Sequence, residues 1–281
     1  MITSNNSVKN VIAISDIHGN MAVFTELDKL IKKYPLAQIV FLGDYIDGHK
    51  QGFQVLNKIR DYQSKLPTQV LVLKGNHEQM FLDYMDTEDQ LWFVNGGQAT
   101  LKEWAYQLTG RGYSIDKDRK LVKRDNPEIL DWINNMPLTY SIGHLFFVHA
   151  GLDWNKSDPR TQTQPDEMLW IRDAYIYQMS SSDPVFEHNP LNQALITGHT
   201  PTLLIYGEYD DNRPGFKNVF TNQSDPCPIK QVQYPGEYAR FFIDGGNHGG
   251  LARLGHFFNV SDKYFLNLQN DIDSRNTNTK F

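Results

Sequence analysis

Five short polar segments interrupt the apolar pattern of this chain, and each one follows an apolar run. They are Asp16-Ile17-His18-Gly19, Gly43-Asp44-Tyr45-Ile46-Asp47-Gly48, Gly75-Asn76-His77-Glu78, His149-Ala150-Gly151 and Gly198-His199-Thr200. Carboxylate and amide oxygens combined with imidazole nitrogens suit Mn²⁺, iron or Zn²⁺ better than Ca²⁺, which takes oxygen ligands alone. Brought together, these side chains could hold a pair of divalent metal ions around a phosphate group.

Two residues within these segments could supply a proton to such a reaction. Two metal ions roughly 3.5–4 Å apart can clamp a phosphoryl group and activate a bridging water for in-line attack. The departing oxygen then needs an acid, and His77 directly follows Asn76. Asp47 stands three residues after Asp44 and could orient the His77 imidazole, because a nearby carboxylate favours the charged form. We therefore predict that His77 and Asp47 form an acid pair.

Each segment taken alone also has an ordinary structural explanation. Asp16-Ile17-His18-Gly19 and Gly43-Asp44 are typical of turns, Asn76 could cap a helix, and an isolated His199 is more often structural than a ligand. The order of the five segments, each placed after a predicted strand, favours one functional site over five coincidences.

Strand and helix patterns alternate in the first third of the chain. Val11 to Ile14, Ile39 to Leu42 and Val70 to Leu73 are short apolar runs, and the apolar spacing of Met21 to Tyr34 and of Phe53 to Leu66 is helical. This order predicts parallel strands with both sheet faces covered. Ligand sites of parallel sheets form outside the carboxyl ends of the strands, where the polar segments begin. We therefore expect the segments to meet at one edge.

The rest of the chain divides into a helical and a strand-rich part. Gln79 to Leu138 is rich in aromatic residues and predicts a helical insertion or cap packed on the first sheet. A second sheet is predicted from five runs, Leu145 to Val148, Ala194 to Thr197, Leu203 to Tyr206, Arg240 to Ile243 and Leu251 to Phe258. Met179 to Asn192 and Gly207 to Gly236 are expected to be loops. We expect one domain over residues 1–270 and a disordered tail over residues 271–281.

Composition restricts the possible partners and location of the protein. The chain has 281 residues, 40% of them hydrophobic, and a net charge of −6. A mildly acidic balance argues against tight binding to nucleic acid or to anionic membranes. The single cysteine, Cys227, rules out an intrachain disulfide, and neither a signal peptide nor a membrane-spanning run is evident. We expect a cytoplasmic monomer, with secretion by a route without a cleaved signal left open.

The five segments together resemble those of PPP-type phosphatases in the calcineurin-like metallophosphoesterase superfamily, and most closely the bacterial serine/threonine protein phosphatases. Three other stretches are similar to the same branch: Trp92 to Leu101, Leu169-Trp170-Ile171-Arg172-Asp173 and Asp244-Gly245-Gly246. The resemblance covers roughly residues 10 to 260. It implies an α/β fold, a four-layer α/β/β/α sandwich, which fits the two strand-rich parts.

The resemblance also implies a role for each site residue. The first metal would be held by Asp16, His18 and Asp44. The second would be held by Asp44, Asn76, His149 and His199, with Asp44 as the bridge. His77 would be the general acid and Asp47 its partner. The cofactors would be two divalent ions, Mn²⁺ first, with iron or Zn²⁺ as alternatives.

The chain departs from the family pattern at Gly48, where an arginine usually holds phosphate oxygens. His49, Lys50 or Lys74 could compensate, although a lysine is a point charge rather than a bidentate fork. Arg172 stands where bacterial relatives place a second phosphate-binding arginine, and a surface salt bridge with Asp173 is its alternative explanation. We predict that Lys74 and Arg172 bind substrate. Glycine at position 48 either weakens phosphomonoester binding or opens the pocket to another phosphate ester.

Two further residues have chemically active side chains. His248 lies in the glycine-rich segment Asp244 to Gly250, which either contacts substrate or forms a plain connecting turn. Cys227 does not fit a cysteine-dependent tyrosine phosphatase, because that chemistry needs an arginine six residues later, where Gln233 stands.

The function predicted first is a metal-dependent phosphoprotein phosphatase acting on phosphoserine and phosphothreonine, with phosphotyrosine as a further substrate. The alternatives are a symmetrical dinucleoside tetraphosphate hydrolase and a small-molecule phosphoesterase. Tyr45, Trp92 and Phe93 could stack on a nucleobase, which keeps the nucleotide alternative open. A non-enzymatic scaffold is disfavoured because it would have no need of His77 and Asp47 together.

Overall fold

The computed structural model describes residues 10–210, 215–216 and 228–248. The first sheet consists of β1 (Val11–Ile14), β2 (Gln38–Phe41) and β3 (Val70–Val72), which are parallel and lie in that order. Two helices connect them, α1 (Val23–Lys33) and α2 (Gly52–Lys65). The predicted β-α-β-α-β pattern is therefore confirmed.

Five helices follow the first sheet in the segment predicted to be helical. They are α3 (Asn76–Thr87), α4 (Leu91–Val94), α5 (Gly97–Thr109), α6 (Ile115–Asp125) and α7 (Pro127–Asn134). Their apolar faces pack with α1 and α2 on the outer face of the first sheet. The Trp104 ring stacks on Phe53 and Phe81, at centroid distances of 4.5 and 5.2 Å, and so joins α5 to α2 and α3. We refer to residues 76–134 as the helical segment.

The second sheet contains five strands, β4 (Thr139–Ile142), β5 (Leu145–Val148), β6 (Ala194–Thr197), β7 (Lys230–Val232) and β8 (Arg240–Phe242). Their order is β4-β5-β6-β8-β7, with the central strands β5, β6 and β8 parallel and the two edge strands antiparallel to their neighbours. Three short helices cover its outer face, α8 (Pro159–Gln162), α9 (Pro165–Trp170) and α10 (Asp173–Ile176).

Three apolar cores separate four layers. One lies between the first sheet and helices α1 to α7, and another lies between the two sheets, where Ala13 and Val40 meet Phe147 and Ile196. The third lies between the second sheet and its short helices. Alternate residues of each strand face opposite cores, as the pleat of a strand requires. The predicted four-layer α/β/β/α sandwich is confirmed.

Two predictions about the second sheet are wrong. Leu203 to Tyr206 is not a strand, since Thr202–Leu204 form a 3₁₀ turn after Pro201 and only Ile205 of the predicted strand is buried. Strand β7 lies inside the stretch predicted to be a loop, because it is a three-residue polar edge strand with little apolar signal.

Some predictions concern residues that the structure does not describe. Leu251 to Phe258, Cys227 and residues 271–281 lie outside the described residues. The division into one domain and a tail stays a prediction. Within the described part of the chain, every helix is too short or too polar to cross a bilayer.

Candidate metal centre

The five polar segments meet at the carboxyl ends of the strands. Asp16 follows β1, Asp44 follows β2 and Asn76 follows β3, while His149 and His199 follow β5 and β6 of the second sheet. Backbone hydrogen bonds join the segments directly: the Asp16 amide donates to Gly43 O at 3.1 Å. In the same way, the Gly198 amide donates to His149 O at 2.8 Å. The site is therefore built between the edges of both sheets.

One cluster consists of Asp16, His18 and Asp44, which are all buried and can face one ion. His18 Nε2 lies 4.0 Å from Asp16 Oδ1 and 3.7 Å from Asp44 Oδ2. His18 Nδ1 donates to the Ile46 carbonyl at 2.9 Å, which leaves the Nε2 lone pair directed at the carboxylates. An imidazole fixed by a carbonyl in this way is the usual arrangement of a metal-binding histidine.

A second cluster shares Asp44 and adds Asn76, His149 and His199. His149 Nε2 lies 3.3 Å from Asp44 Oδ1 and 2.9 Å from Asn76 Oδ1. His199 Nδ1 lies 2.9 Å from the same amide oxygen, and His149 Nδ1 donates to the Leu42 carbonyl at 2.7 Å. Asp44 thus presents one carboxylate oxygen to each cluster. The donor set of oxygens and fixed imidazoles fits two borderline divalent ions.

Electrostatics shift the pKa values of the clustered groups in different directions. Burial lowers the pKa of His18 and His199 well below the usual value, and neighbouring histidines add to this effect. Burial opposes ionisation of Asp44, but His149, His77 and His18 outweigh it and hold its pKa well below the usual range. Burial raises the pKa of Asp16 to about 6, and Asp44 adds to this effect. Burial alone would lower the pKa of His149, but the charge of Asp44 and the hydrogen bond to Asp44 raise it to about 9.

The acid pair lies beside the shared carboxylate. His77 Nδ1 donates to Asp47 Oδ2 at 2.7 Å, and His77 Nε2 lies 4.0 Å from Asp44 Oδ2. Burial alone would lower the pKa of His77, but the charges of Asp44 and Asp47 and the bond to Asp47 raise it to about 9. The geometry therefore keeps a protonated imidazole next to both clusters.

The backbone of the site is strained. Among the described residues, six non-glycine residues have positive φ, and five of them belong to the site: Asp16, His18, Asp44, Asp47 and His199. The sixth, Glu88, follows the last turn of α3. Such conformations persist only where many surrounding contacts hold them in place, and they are most frequent at functional sites.

Glu78 is a contributor to the site whose role the sequence does not reveal. Its carboxylate accepts from the backbone amides of Asp44, Tyr45 and Gly75 at 2.8, 2.8 and 3.0 Å. Gly75 also leaves no room for a side chain, since a Cβ there would lie 2.2 Å from Asp44 Oδ1. Glu78 therefore ties the Asp44 turn to the start of α3.

The two predicted substrate-binding residues lie in different surroundings. Arg172 is exposed, and its Nη1 lies 3.4 Å from Thr200 Oγ1, next to His199. Of the ion pairs in the part of the chain that the structure describes, none joins Arg172 to Asp173. Lys74 is buried and its Nζ donates to Gln79 Oε1 at 3.2 Å and to Asn134 O at 3.1 Å. Its substrate-binding role stays a prediction, and these contacts with the helical segment do not support it.

His248 lies at the site rather than in a distant turn. Its ring centroid is 4.7 Å from that of His18 and 4.8 Å from that of His77. His248 Nε2 donates to the Asn95 carbonyl at 3.1 Å, and its Cα lies 3.5 Å from where a Cβ of Gly48 would stand. The signal in the sequence was its position in a glycine-rich segment directly after a strand.

A family comparison classifies this arrangement. The model of the family described as calcineurin-like phosphoesterase matches residues 9–224. The chain belongs to this family. Calcineurin-like phosphoesterases use divalent metals, and the clusters described above could hold such ions. The predicted superfamily membership is confirmed.

One protein of known sequence and two solved structures are similar to this chain. Serine/threonine-protein phosphatase 2 of Salmonella typhimurium is 27% identical over 167 residues, which cover 59% of this chain and 69% of that protein. A crystal structure described as a putative diadenosine tetraphosphatase shares the fold, with a TM-score of 0.50, 15% identity and coverage of 86% of each chain. A Saccharomyces cerevisiae serine/threonine phosphatase with similarity to human PP5 gives a TM-score of 0.44 at 15% identity, over 88% of this chain and 70% of that chain.

Proposed function

We propose that this chain is a metal-dependent phosphoprotein phosphatase that hydrolyses phosphoserine and phosphothreonine monoesters, with phosphotyrosine as a further substrate. The observation that carries the proposal is the buried His77–Asp47 pair at 2.7 Å, placed beside a carboxylate shared by two candidate metal clusters. The similarity to a Salmonella protein named as a serine/threonine phosphatase supports the choice of substrate class.

The metal ligands are proposed as two sets that share Asp44. The first set is Asp16, His18 and Asp44, and the second is Asp44, Asn76, His149 and His199. When bound, two divalent ions would polarise the phosphoryl group and activate a water for in-line attack. Mn²⁺ is the metal proposed first, with iron and Zn²⁺ as alternatives. The protein supplies fixed imidazoles, since His18 and His149 are each held by a backbone carbonyl at Nδ1.

His77 is proposed to protonate the leaving group. Its Nδ1–H donates to Asp47, so the proton available for transfer is on Nε2, on the side of Asp44. The water oxygen forms the new bond to phosphorus as the bond to the seryl or threonyl oxygen breaks. The departing oxygen takes the Nε2 proton and leaves as an alcohol. A general acid placed in this way contributes about 10²–10⁴-fold in rate.

Arg172 is proposed to hold phosphate oxygens. Its guanidinium lies beside Thr200 and His199, and none of the ion pairs among the described residues includes it. A guanidinium offers paired donors that match two phosphate oxygens. Arg172 is exposed, so the proposed contact would lie at the open side of the site, where a phosphorylated protein segment could approach.

A symmetrical dinucleoside tetraphosphate hydrolase is the second candidate. The shared fold with a structure described as a putative diadenosine tetraphosphatase favours it. Of the three aromatic residues that kept this possibility open, Tyr45 and Trp92 are fully buried and do not support it, whereas Phe93 is partly buried and packs against the same core. Trp170 is 38% exposed, and its ring stands edge-on to His199 at 6.0 Å, so it is the exposed aromatic side chain that a nucleobase or a phosphotyrosine ring could contact.

An assay with a generic aryl phosphate tests the proposal. The purified protein should hydrolyse it with added Mn²⁺, and a chelator should remove the activity. Metal restored after chelation should restore turnover, which separates metal dependence from irreversible unfolding. Absence of hydrolysis with both Mn²⁺ and Fe²⁺ would contradict the proposal and favour a non-enzymatic role.

A further inference from the structure

We propose that Trp92 and Thr100, two residues of the helical segment, are positioning residues that hold Asp47 for the general acid. This inference rests on the proposed function, because it concerns the acid pair of that reaction. It assigns helices α4 and α5 a task in catalysis, carried out from the interior of the protein.

The contacts of Asp47 show why two residues are needed. Asp47 is fully buried, and its Oδ2 accepts from both His77 Nδ1 at 2.7 Å and Trp92 Nε1 at 2.8 Å. Thr100 Oγ1 donates to Asp47 Oδ1 at 2.6 Å and accepts from the Asp47 amide at 3.0 Å. Each carboxylate oxygen is thus fixed by a donor from the helical segment, in addition to the bond to His77.

These donors meet a physical need of a buried carboxylate. Without water, an ionised carboxylate must be stabilised by hydrogen bonds, and those to charged acceptors are the strong ones. Asp47 also has a positive φ of 68°, so its backbone does not hold it in a relaxed conformation. Trp92 and Thr100 therefore determine which way the carboxylate, and with it the His77 ring, is turned.

The indole itself is held rigidly. Trp92 is fully buried, and its ring packs against Phe81 and Tyr84 at centroid distances of 5.0 and 5.3 Å. Gly97, the first residue of α5, lies so close to the indole that a Cβ there would be 2.2 Å from the ring. A ring packed on every side cannot bind substrate, but it can fix the direction of its N–H.

A comparison of two leaving groups tests this role. The p-nitrophenolate anion leaves without a proton, whereas phenolate from phenyl phosphate depends more on protonation by the acid. Trp92→Phe removes the N–H and keeps most of the ring, and Thr100→Val removes the hydroxyl at nearly constant volume. We expect each variant to lower kcat for phenyl phosphate by about tenfold or more, a part of the general-acid contribution. The kcat for p-nitrophenyl phosphate should fall much less.

Trp104→Phe is the matched control. Trp104 is the other fully buried tryptophan of the helical segment, and its Nε1 donates to Asn126 Oδ1 at 2.7 Å, away from Asp47. Loss of a buried indole donor as such should leave the ratio of the two kcat values unchanged. If Trp92→Phe and Thr100→Val lower both kcat values by one common factor, as a general loss of stability would, the positioning role is overturned.

A spectroscopic measurement separates this inference from the proposed function. With ¹⁵N-histidine labelling, the His77 Nδ1–H bonded to Asp47 should give a downfield proton signal, which should shift or vanish in Trp92→Phe and Thr100→Val but not in Trp104→Phe. A wild-type protein inactive on both aryl phosphates would contradict the proposed function alone. An unchanged His77 signal in both variants would overturn the positioning role whatever the activity.

Discussion

The helical segment and residues 153–187 both contribute side chains to the candidate site, one from the side of the first sheet and the other from the side of the second. The side chains of the first are buried, and those of the second are exposed. The helical segment reaches Asp47 through buried donors, and none of these contacts is open to solvent. Residues 153–187 form short helices and bridges and present Arg172 and Trp170 at the surface. If the proposed roles are correct, the acid pair is held from the interior, and the substrate is contacted from the exposed side.

The exposed side is nevertheless anchored. The fully buried Arg240 donates to the carbonyls of Tyr175 and Ile176 at 2.6 and 3.2 Å, directly after the turn that carries Arg172. A buried guanidinium that binds backbone carbonyls fixes the path of this irregular stretch without help from a long helix. Both regions therefore rely on buried polar contacts, but only the helical segment directs those contacts at Asp47, a residue of the proposed acid pair.

The largest effect is expected at Asp44, the residue that both clusters share. The two carboxylate oxygens of Asp44 lie 3.7 Å from His18 Nε2 and 3.3 Å from His149 Nε2. Asp44→Asn removes the negative charge between these two imidazoles. We expect activity at the level of chelator-treated protein and less metal retained after dialysis, measured by elemental mass spectrometry. Asp118→Asn is the control, since Asp118 is equally buried but pairs with Lys102 in the helical segment. Wild-type metal content in Asp44→Asn would contradict the shared-ligand assignment.

His77→Asn tests the general-acid role proposed for the buried side of the site. The variant should lower kcat by about 10²–10⁴-fold with metal content unchanged, because the acid is lost and the ligands remain. His188→Asn is a suitable control, since His188 also pairs with a carboxylate, Glu237, at 2.7 Å but outside the clusters. Loss of metal from His77→Asn would show instead that His77 is a ligand.

Arg172→Ala tests the exposed side. A charge-assisted hydrogen bond contributes about 1.5–3 kcal/mol, so KM for a phosphopeptide should rise by about tenfold or more while metal content stays constant. Arg160→Ala controls for the loss of a surface charge, because Arg160 pairs with Asp158. A KM equal to that of Arg160→Ala would remove Arg172 from the substrate site.

Gly48→Arg sharpens the comparison at an exposed position beside His18 and His248. We expect a lower KM for an aryl phosphate, since the new guanidinium would start beside His18 and His248. The φ of 76° should also reduce stability by about 1–2 kcal/mol. Gly110→Arg is the control for strain alone, with a φ of 70° and no atom within 4 Å of the added Cβ. An unchanged or raised KM would show that position 48 does not face the phosphate.

The smallest effect is expected at Glu103, in the helical segment. Burial raises its pKa to about 7, although its bond from the Phe53 amide opposes this. The folded protein thus favours the neutral form, and the free energy of unfolding should fall as pH rises from the unfolded pKa of about 4.5 through 7. Glu103→Gln should weaken this decline in denaturant titrations at several pH values. An identical pH dependence in both proteins would contradict the assignment.

Much of the fold was predictable because its signals are local. The strands that precede Asp16, Asp44 and Asn76 are apolar runs that end at polar turns, and the structure has them where the sequence indicates. Strand β7 could not be predicted in this way, since a three-residue polar edge strand owes its conformation to pairing with β8. Leu203 to Tyr206 failed for the converse reason, because apolar composition without a sheet partner does not make a strand.

The sequence predicted that the polar segments would lie together, but it did not predict the contacts that support them. Trp92 and Asp47 are 45 residues apart, and His248 and Asn95 are 153 residues apart, so no local pattern joins them. Lys74 shows the limit of proximity in sequence: it directly precedes Gly75, yet its ammonium group binds Asn134 in the helical segment. Adjacent residues in extended chain point to opposite sides, which spacing arguments at strand ends must respect.

The most direct test of the central claim is a side-by-side assay of a phosphoserine peptide and diadenosine tetraphosphate with Mn²⁺, each with and without a chelator. The account predicts that the phosphopeptide is hydrolysed with the higher kcat/KM and that the chelator abolishes this activity. A preference for diadenosine tetraphosphate, or phosphopeptide hydrolysis that survives complete removal of metal, would contradict it.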